Sequence, residues 1–278
     1  MVQEKAQVLL NRRIAPDHFR MQLKSLRGAR HARPGQFIHV LCPSGVGRPD
    51  GKASLLRRPF SLFDVDPGRG TLDLIYKVVG VGTSALAQVR AGDRVDFLGP
   101  LGRPFWVSSG IRQAWLIGGG VGIPPLYFLA KWIKKARPVS SVNVSAFLGA
   151  RTKDWVICVE LFRRLGIKVC VATDDGTRGY QGSVVSLLKK FFRDTGNGTQ
   201  ETALYVCGPT PMMAAAWAWA AERGLSTQVS LEERMGCAMG CCMGCVVEMK
   251  KKPVDSHARF QRVCTEGPVF PAEAIAWR

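Results

Sequence analysis

Five of the chain's nine cysteines fall within its last 42 residues, and four of these are set out as Cys237, Cys242, Cys245 and, 19 positions further on, Cys264. A C-x4-C-x2-C hook with one distant partner constrains the fold around it more than any apolar pattern does. Three thiolates on one short loop must converge on a common group, and a fourth must be brought to it from elsewhere in the chain. This is the plant-type arrangement for a [2Fe–2S] cluster, in which each iron takes two thiolates. Gly236, Ala238, Gly240 and Gly244 are small enough to let the loop backbone approach such a cluster closely. Cys241, adjacent to Cys242, leaves a second register open, C-x3-C-x3-C. A structural zinc site usually shows paired C-x2-C hooks, and only one is present here. A Rieske-type centre needs two histidine ligands, and His257 is the sole histidine nearby.

The remaining cysteines, Cys42, Cys158, Cys170 and Cys207, sit among apolar residues, as small buried hydrophobes do. An odd cysteine count argues against a disulfide framework, and the opening Met1-Val2-Gln3-Glu4-Lys5 puts two charges where a signal peptide would begin its apolar run. The expected location is the cytoplasm. The uncharged stretches Ala114–Ala130 and Thr202–Ala221 approach membrane-spanning length, but Gly118-Gly119-Gly120 with Pro124-Pro125 breaks the first and Gly208-Pro209-Thr210-Pro211 the second. Each therefore reads as a buried strand followed by a packed helix, and no membrane partner is expected. The formal charge of +18 is spread along the chain with no aromatic–basic signature, so no nucleic-acid partner is expected either. It reads as a solvated surface able to dock an acidic protein.

Two rhythms divide the chain. From Lys5 to about Phe97, short β-branched runs such as Gln36–Cys42, Pro59–Asp64 and Thr71–Val79 are separated by Gly, Pro and Asp turns, which suits an antiparallel β-barrel. From Gln113 the pattern alternates strand-length and helix-length segments: Ala114–Ile117 then Pro124–Lys135, Ser141–Leu148 then Lys153–Leu165, Lys168–Thr173 then Ser183–Arg193, and Leu204–Cys207 then Pro211–Arg223. That is the signature of an α/β parallel sheet with crossover helices. After about Ser230 neither rhythm continues, so the cysteine-rich tail is expected to be held by something other than a large apolar core. The chain is thus multi-domain, with expected divisions at residues 1–108, 109–230 and 231–278.

Within the barrel, Arg58-Pro59-Phe60-Ser61 opens a strand, Ile75-Tyr76-Lys77 ends another, and Gly82-Thr83 leads into an expected helix, Ser84–Val89. An arginine, a hydroxyl and backbone N–H groups at a helix start suit a pyrophosphate, and the order and spacing of the pieces carry this signal rather than any one of them. Gly118, Gly119, Gly120 and Gly122 follow the first strand of the parallel sheet, and Cys207-Gly208-Pro209 ends a later one at the same sheet edge. Open α/β sheets bind ligands there, so these residues form the candidate dinucleotide site. Asp174-Asp175 ends a strand at that edge too, and two carboxylates facing the nucleotide would disfavour a 2′-phosphate, which favours NAD over NADP.

Taken together, these blocks resemble the ferredoxin–NADP reductase superfamily. The tail from Ser230-Leu231-Glu232-Glu233-Arg234-Met235 through the cysteines to Thr265-Glu266-Gly267-Pro268-Val269-Phe270 is similar to that of the electron-transfer subunits of class 1B dihydroorotate dehydrogenase. The resemblance covers essentially the whole chain. It implies an FAD-binding barrel, an NAD domain and a small [2Fe–2S] domain, with FAD at Arg58–Ser61, Ile75–Lys77 and Gly82-Thr83 and the cluster on Cys237, Cys242, Cys245 and Cys264. It also implies a catalytic partner subunit that carries FMN and oxidises dihydroorotate in pyrimidine biosynthesis, in a heterotetramer. The cofactors would carry the chemistry, and no acid–base or nucleophile constellation stands out as catalytic. A related reductase serving a hydrogenase, ferredoxin or sulfur-metabolising enzyme is the alternative. The sequence departs from the family pattern at Cys241, where a small residue is usual, and in the long loop carrying Lys250-Lys251-Lys252.

Overall fold

Alternation shapes the first layer of the structure. In β1 (Val2–Ala15) the side chains of Ala6 and Val8 are buried while Lys5, Gln7 and Leu9 face solvent, as a strand with one dry face requires. The same logic runs through β2 (His18–Lys24), β3 (Phe37–Val40), β4 (Arg58–Asp66), β5 (Thr71–Lys77) and β6 (Arg94–Leu101). These six close into an antiparallel barrel in the order β1-β2-β5-β4-β3-β6, with Val8, Met21, Leu23, Ile38, Leu62, Leu72, Leu74 and Phe97 fully buried inside. Two short helices accompany it, α1 (Leu26–His31), capped by Ser25 Oγ accepting the Gly28 N–H, and α2 (Val81–Ala87). Helix α2 begins three residues earlier than the sequence suggests, so Gly82 and Thr83 lie in its first turn. The structure is a computed structural model and describes residues 1–43, 56–136, 142–195, 201–250 and 259–277; Lys251, Lys252 and His257 lie outside the described residues.

The second layer is a seven-stranded sheet, β10 (Tyr180–Gln181), β9 (Lys168–Thr173), β8 (Asn143–Ala150), β7 (Gln113–Gly119), β11 (Thr202–Cys207), β12 (Ser226–Ser230) and β15 (Val269–Pro271), in that spatial order. All neighbours are parallel except β12 and β15. The chain starts in the middle at β7, runs outward through β8 and β9, then returns to β11 on the other side of β7. The crevice between β7 and β11 is therefore the topological switch point. Helices α3 (Ile123–Ala136), α5 (Val184–Thr195) and α6 (Thr210–Ala221) fall within two residues of their expected positions. The expected helix Lys153–Leu165 does not: only Val159–Arg164 is helical (α4), preceded by Cys158 at φ +66° and a single 3₁₀ turn at Lys153–Trp155. A left-handed residue ends any helix trying to run through it, so the segment instead places Trp155 at the sheet edge. Among the described residues no helix is long and apolar enough to cross a membrane.

The tail departs most from expectation. Beyond Ser230 it adds the antiparallel strand β15 to β12, pairing Ser230 with Val269, Val229 with Phe270 and Gln228 with Pro271. A small hairpin pairs β13 (Val246–Glu248) with β14 (Phe260–Arg262). Met235, Ala238, Cys245, Met249, Val263, Cys264, Phe270 and Ile275 join Trp115, Leu204, Val206 and Trp219 in one core. Apolar burial, not metal alone, holds this segment, because the edge strand lays its apolar side chains over a face the α/β pattern had left uncovered.

The barrel and the sheet are joined by side chains of β4 and α3. Phe63 stacks on Tyr127 at 4.9 Å between ring centroids, and Lys131 Nζ lies 2.8 and 2.7 Å from the two oxygens of Asp64. Phe63 is 2% exposed, so truncating it leaves a cavity at the seam between barrel and sheet. Phe63→Ala should lower unfolding stability by about 3–5 kcal/mol. Chemical denaturation checks this, and a loss below about 1 kcal/mol would contradict the packing described.

Candidate functional site

At the switch point lies a cavity of about 410 Å³, with one wall from the sheet and the other from the barrel. The sheet supplies Gly119, Gly120, Gly208, Pro209 and Asp174, and the barrel supplies His18 and Lys77. The parallel register sets Gly118 beside Cys207, which brings the two glycine-bearing turns together. The glycines play different parts. Gly120 has φ +56° and nothing within 4 Å of where a Cβ would stand, so it opens the floor of the cavity. A Cβ on Gly122 would fall 2.3 Å from the Cys207 carbonyl oxygen and 2.5 Å from the Gly208 nitrogen, so Gly122 serves the close approach of the two turns. A Cβ on Gly118 would meet Ile123 at 2.9 Å, which makes Gly118 a packing residue as well. Cys207 is fully buried with its thiol in the core, and burial pushes its pKa up, so it offers a ligand only its backbone. Asp175 is occupied within its own turn, accepting from Thr177 N at 3.0 Å and Oγ1 at 2.7 Å, which leaves Asp174 as the carboxylate facing the cavity.

The flavin candidates share one end of the barrel. Pairing of β4 with β5 sets Leu62 against Leu74, and the same antiparallel register carries Arg58 to the end where β5 leads into α2. Tyr76 points into the barrel, its ring 5.5 Å from that of Phe60 and its hydroxyl donating to Asn11 Oδ1 at 3.0 Å. Burial raises the Tyr76 pKa, and both Tyr76 and Phe60 support the strands from within. Ile75 packs in the core shared with α3, so of the Ile75–Lys77 trio Lys77 alone lines the cavity. Thr83 Oγ1 accepts the N–H groups of Val79 at 2.9 Å and Gly80 at 3.1 Å and donates to the Gly80 carbonyl at 2.9 Å, so its hydroxyl shapes the turn. Val79 and Val81 flank that turn, 77% and 48% exposed, an apolar rim around a Gly80 with open space at its Cβ position. This combination of bare backbone, exposed valines and a nearby arginine suits a dinucleotide cofactor. Arg58 Nη1 donates to the carbonyls of Leu56 at 2.8 Å and Arg57 at 3.2 Å.

The thiols of the tail come together as two pairs. Cys237 Sγ accepts the backbone N–H groups of Met239 and Cys242, each at 3.4 Å, and the Cys242 thiol is its side-chain neighbour. Those donors stabilise the thiolate and bring the Cys237 pKa down to about 6. Cys245 and Cys264 form the second pair, buried where Val263 N donates to the Cys245 carbonyl at 2.9 Å beside the β13–β14 hairpin. Burial first, and then the neighbouring Cys245, push the Cys264 thiol up to about 11. Among the described residues no three Cys, His, Asp or Glu side chains converge as a mononuclear metal site requires. Two pairs suit two irons, each taking two thiolates, and do not suit one zinc ion with four sulfurs around a single centre. Cys241, like Cys242, is exposed, and its backbone N–H is a further donor toward Cys237.

A clamp joins the two halves of this loop. Arg262 Nη1 donates to the Gly240 carbonyl at 2.8 Å, while its Nε and Nη2 reach the two oxygens of Glu266 at 2.8 and 2.6 Å. The guanidinium hydrogen bonds hold the Glu266 carboxyl down to about 2. The turn that follows meets the barrel, where Arg103 N donates to the Gly267 carbonyl at 2.6 Å and Gly102, at φ +79°, has no room for a Cβ against Pro268.

Sequence reasoning missed several cavity residues. His18 Nδ1 lies 2.6 Å from the Pro16 carbonyl, which can only accept, so Nδ1 carries the proton and Nε2 is the ring's acceptor. Burial lowers the His18 pKa and keeps the ring neutral. Trp155 meets His18 edge-on at 5.5 Å and carries the Lys77 ammonium over its face at 3.9 Å, a contact that ties the sheet edge to the barrel. Glu232 lines the cavity at its open edge, with its side chain exposed to solvent. None of these has a local signature. Only the pairing of barrel and sheet brings them to one place.

Known proteins bear on this geometry throughout the chain. A family model for the iron–sulfur cluster binding domain of dihydroorotate dehydrogenase B matches residues 232–276, one for the oxidoreductase NAD-binding domain matches 116–217, and one for the oxidoreductase FAD-binding domain matches 3–106. The electron transfer subunit of dihydroorotate dehydrogenase B (NAD(+)) from Desulforamulus reducens is 38% identical over 98% of this chain and 97% of its own length. The corresponding subunit from Fusobacterium nucleatum is 36% identical over 95% of each. A solved structure of an NADH-dependent reduced ferredoxin–NADP oxidoreductase, studied for flavin-based electron bifurcation, superposes with a TM-score of 0.81 at 31% identity, covering 99% of this chain and 90% of that one. The cytochrome b5 reductase domain of Ulva prolifera nitrate reductase shares the fold, with a TM-score of 0.66 at 18% identity over 81% of this chain and 94% of that one.

The thiol pairing yields a direct test. Cys237→Ser, Cys242→Ser, Cys245→Ser and Cys264→Ser should each lose iron and labile sulfide, while Cys241→Ser should keep both. Metal and sulfide analysis of the purified variants decides it, and the reverse result for Cys241 and Cys242 would transfer the register to Cys241.

Proposed function

The chain belongs to the family of dihydroorotate dehydrogenase B electron transfer subunits, and from that premise we propose how its own residues divide the work. The protein is an oxidoreductase subunit of pyrimidine biosynthesis that passes electrons among NAD, FAD and an iron–sulfur cluster and works with a catalytic dihydroorotate dehydrogenase subunit. In the proposed assembly that partner carries FMN and the subunits form a heterotetramer. The nine free thiols suit a reducing cytoplasm. The proposed divisions are residues 1–108 for FAD, 109–230 for NAD and 231–278 for the cluster.

One observation carries this assignment of roles: barrel and parallel sheet wall a single cavity, with Lys77 and His18 on one side and Gly119, Gly120, Gly208 and Pro209 on the other. Bound flavin supplies the conversion between two-electron hydride chemistry and one-electron transfer. The chain's residues supply position and electrostatics. Gly120 and Gly208-Pro209 let the nucleotide backbone lie close against the strand ends, and Arg58 with the Val79–Thr83 turn holds the flavin's pyrophosphate. Trp155, fixed by Lys77 and the neutral His18, closes one side of the cavity against water. Glu232 presents its carboxyl at the opening, placed to accept a hydrogen bond from a carboxamide. Cys237 and Cys242 would hold one iron of the cluster and Cys245 and Cys264 the other. Met239 and Met243, 48% and 50% exposed on the same loop, offer an apolar surface to the partner.

The loaded chain should reduce artificial acceptors with NADH and leave dihydroorotate untouched until the catalytic subunit is added. Steady-state assays of the single polypeptide and of the mixture check this, and robust dihydroorotate oxidation by the single polypeptide would overturn the assignment. Arg58→Ala should bind FAD at least tenfold more weakly, as the loss of one charge-assisted contact of about 1.5–3 kcal/mol requires. Equilibrium titration with FAD checks that value.

A further inference from the structure

The Arg262–Glu266 clamp is too exposed to be explained by stability. The two side chains are 36% and 26% exposed, and ion pairs in that range contribute little to folding. Yet every part of the carboxylate is engaged. Its Oε2 accepts from Arg262 N and Nε, each at 2.8 Å, and its Oε1 from Arg262 Nη2 at 2.6 Å and Thr265 Oγ1 at 2.9 Å. Main-chain bonds wind the same turn, with Thr265 N, Glu266 N and Gly267 N donating to the Arg262 carbonyl at 3.3, 3.0 and 3.2 Å. The guanidinium is thereby fixed in one orientation, with Nη1 directed out of the turn.

Nη1 meets Gly240, 22 residues earlier and on the other half of the loop, whose carbonyl accepts at 2.8 Å. Gly240 has φ +85°, and a Cβ there would stand 3.1 Å from Thr265 Cγ2 and 3.3 Å from Arg262 Nη1, so its backbone lies directly against the turn that carries Cys264. The N–H of the same glycine acts on the Cys264 thiol: burial and Cys245 push that thiol's pKa up, and the Gly240 N–H is a donor that pulls against them. Glu266 first, and then Cys264 and Cys245, favour the charged guanidinium, which places it beside both inner thiols. One residue of the outer half is thus held at its carbonyl and at its N–H by the inner half.

We propose that Arg262 is a positioning residue of the cluster site: locked by Glu266, it holds the Gly240 carbonyl so that the Gly240 N–H stays aimed at the Cys264 sulfur. The proposal rests on the cluster ligands proposed above. A donor on a ligand sulfur favours the reduced cluster, which carries the greater negative charge, and so raises its reduction potential. Arg262 does not line the nicotinamide cavity, so the hydride step should not depend on it.

The test uses the full chain with FAD and cluster bound, comparing wild type with Arg262→Met and with Arg262→Met combined with Glu266→Gln. The single variant removes both a charge and the clamp. The double variant removes the clamp and leaves the local net charge as in wild type. Iron, sulfide and FAD content, NADH-to-flavin rate by stopped flow, cluster midpoint potential by titration and the electron paramagnetic resonance spectrum of the reduced cluster are measured. Both variants should keep FAD and an NADH-to-flavin rate within twofold of wild type, while the equilibrium for reducing the cluster falls at least tenfold, about 59 mV for one electron, and the g values move. A double variant within twofold of the wild-type equilibrium would overturn the proposal, since charge alone would then explain the single variant, and so would unchanged g values in both. Loss of FAD or of the NADH-to-flavin rate would also overturn it, by showing a general role rather than a local one. If neither variant holds a cluster, Arg262→Lys decides: a wild-type potential would show that a positive charge suffices and overturn the proposal, whereas a lowered potential or incomplete loading supports it. A wild-type protein without iron and sulfide would instead sink the cluster ligands themselves.

Discussion

The antiparallel pairing of Val269–Pro271 with Gln228–Ser230 is the constraint on which the rest of the arrangement depends. Three residue pairs are few, but they fasten Phe270 and Val263 into the same core as Trp115 and Trp219, and they cover a sheet edge that would otherwise expose unpaired backbone groups. The turn leading into that strand touches the barrel through Arg103 and Gly267. A loop of small residues with positive φ at Ala238, Gly240 and Met243 has little intrinsic order. It acquires a defined position because both of its ends are tied to parts of the molecule that are already rigid.

The same dependence holds for the cavity. A parallel sheet alone offers a crevice at its switch point, open on the far side. Here the far side is closed by the barrel, which α3 holds in place through the Phe63–Tyr127 stack and the Lys131–Asp64 ion pair. The stack is buried and carries most of the energetic weight. The ion pair is partly exposed and contributes more to alignment than to stability. The cavity walls can then come from two domains and still keep a fixed spacing, as a transfer between two bound cofactors demands.

The two thiol pairs differ in surroundings. Cys237 lies near the surface among backbone N–H donors, whereas Cys245 and Cys264 lie in the core beside the Arg262–Glu266 clamp. Hydrogen bonds to sulfur and solvent exposure are both levers on the potential of an iron–sulfur centre. The two thiol pairs therefore differ in environment before any partner binds, and the exposed methionines Met239 and Met243 lie on the loop that carries Cys237.

The sequence by itself determined the three-part architecture, the cofactor types and the strand and helix positions around the glycine turns, because these depend on local periodicity and on ligand spacing along the chain. The C-x4-C-x2-C hook favoured Cys242 over Cys241 through spacing along the chain alone. Tertiary structure alone decided which members of each motif face a ligand. Gly120 opens the cavity while Gly118 and Gly122 pack, and Lys77 reaches it while Tyr76 turns inward, since those outcomes follow from strand register and from what lies across the gap. His18, Trp155 and Glu232, distant in sequence, meet only when barrel and sheet close on each other. The tail's apolar anchorage was equally invisible, because Val263, Phe270 and Ile275 lie in stretches too short to show a period and find their partners on strands far away in the chain.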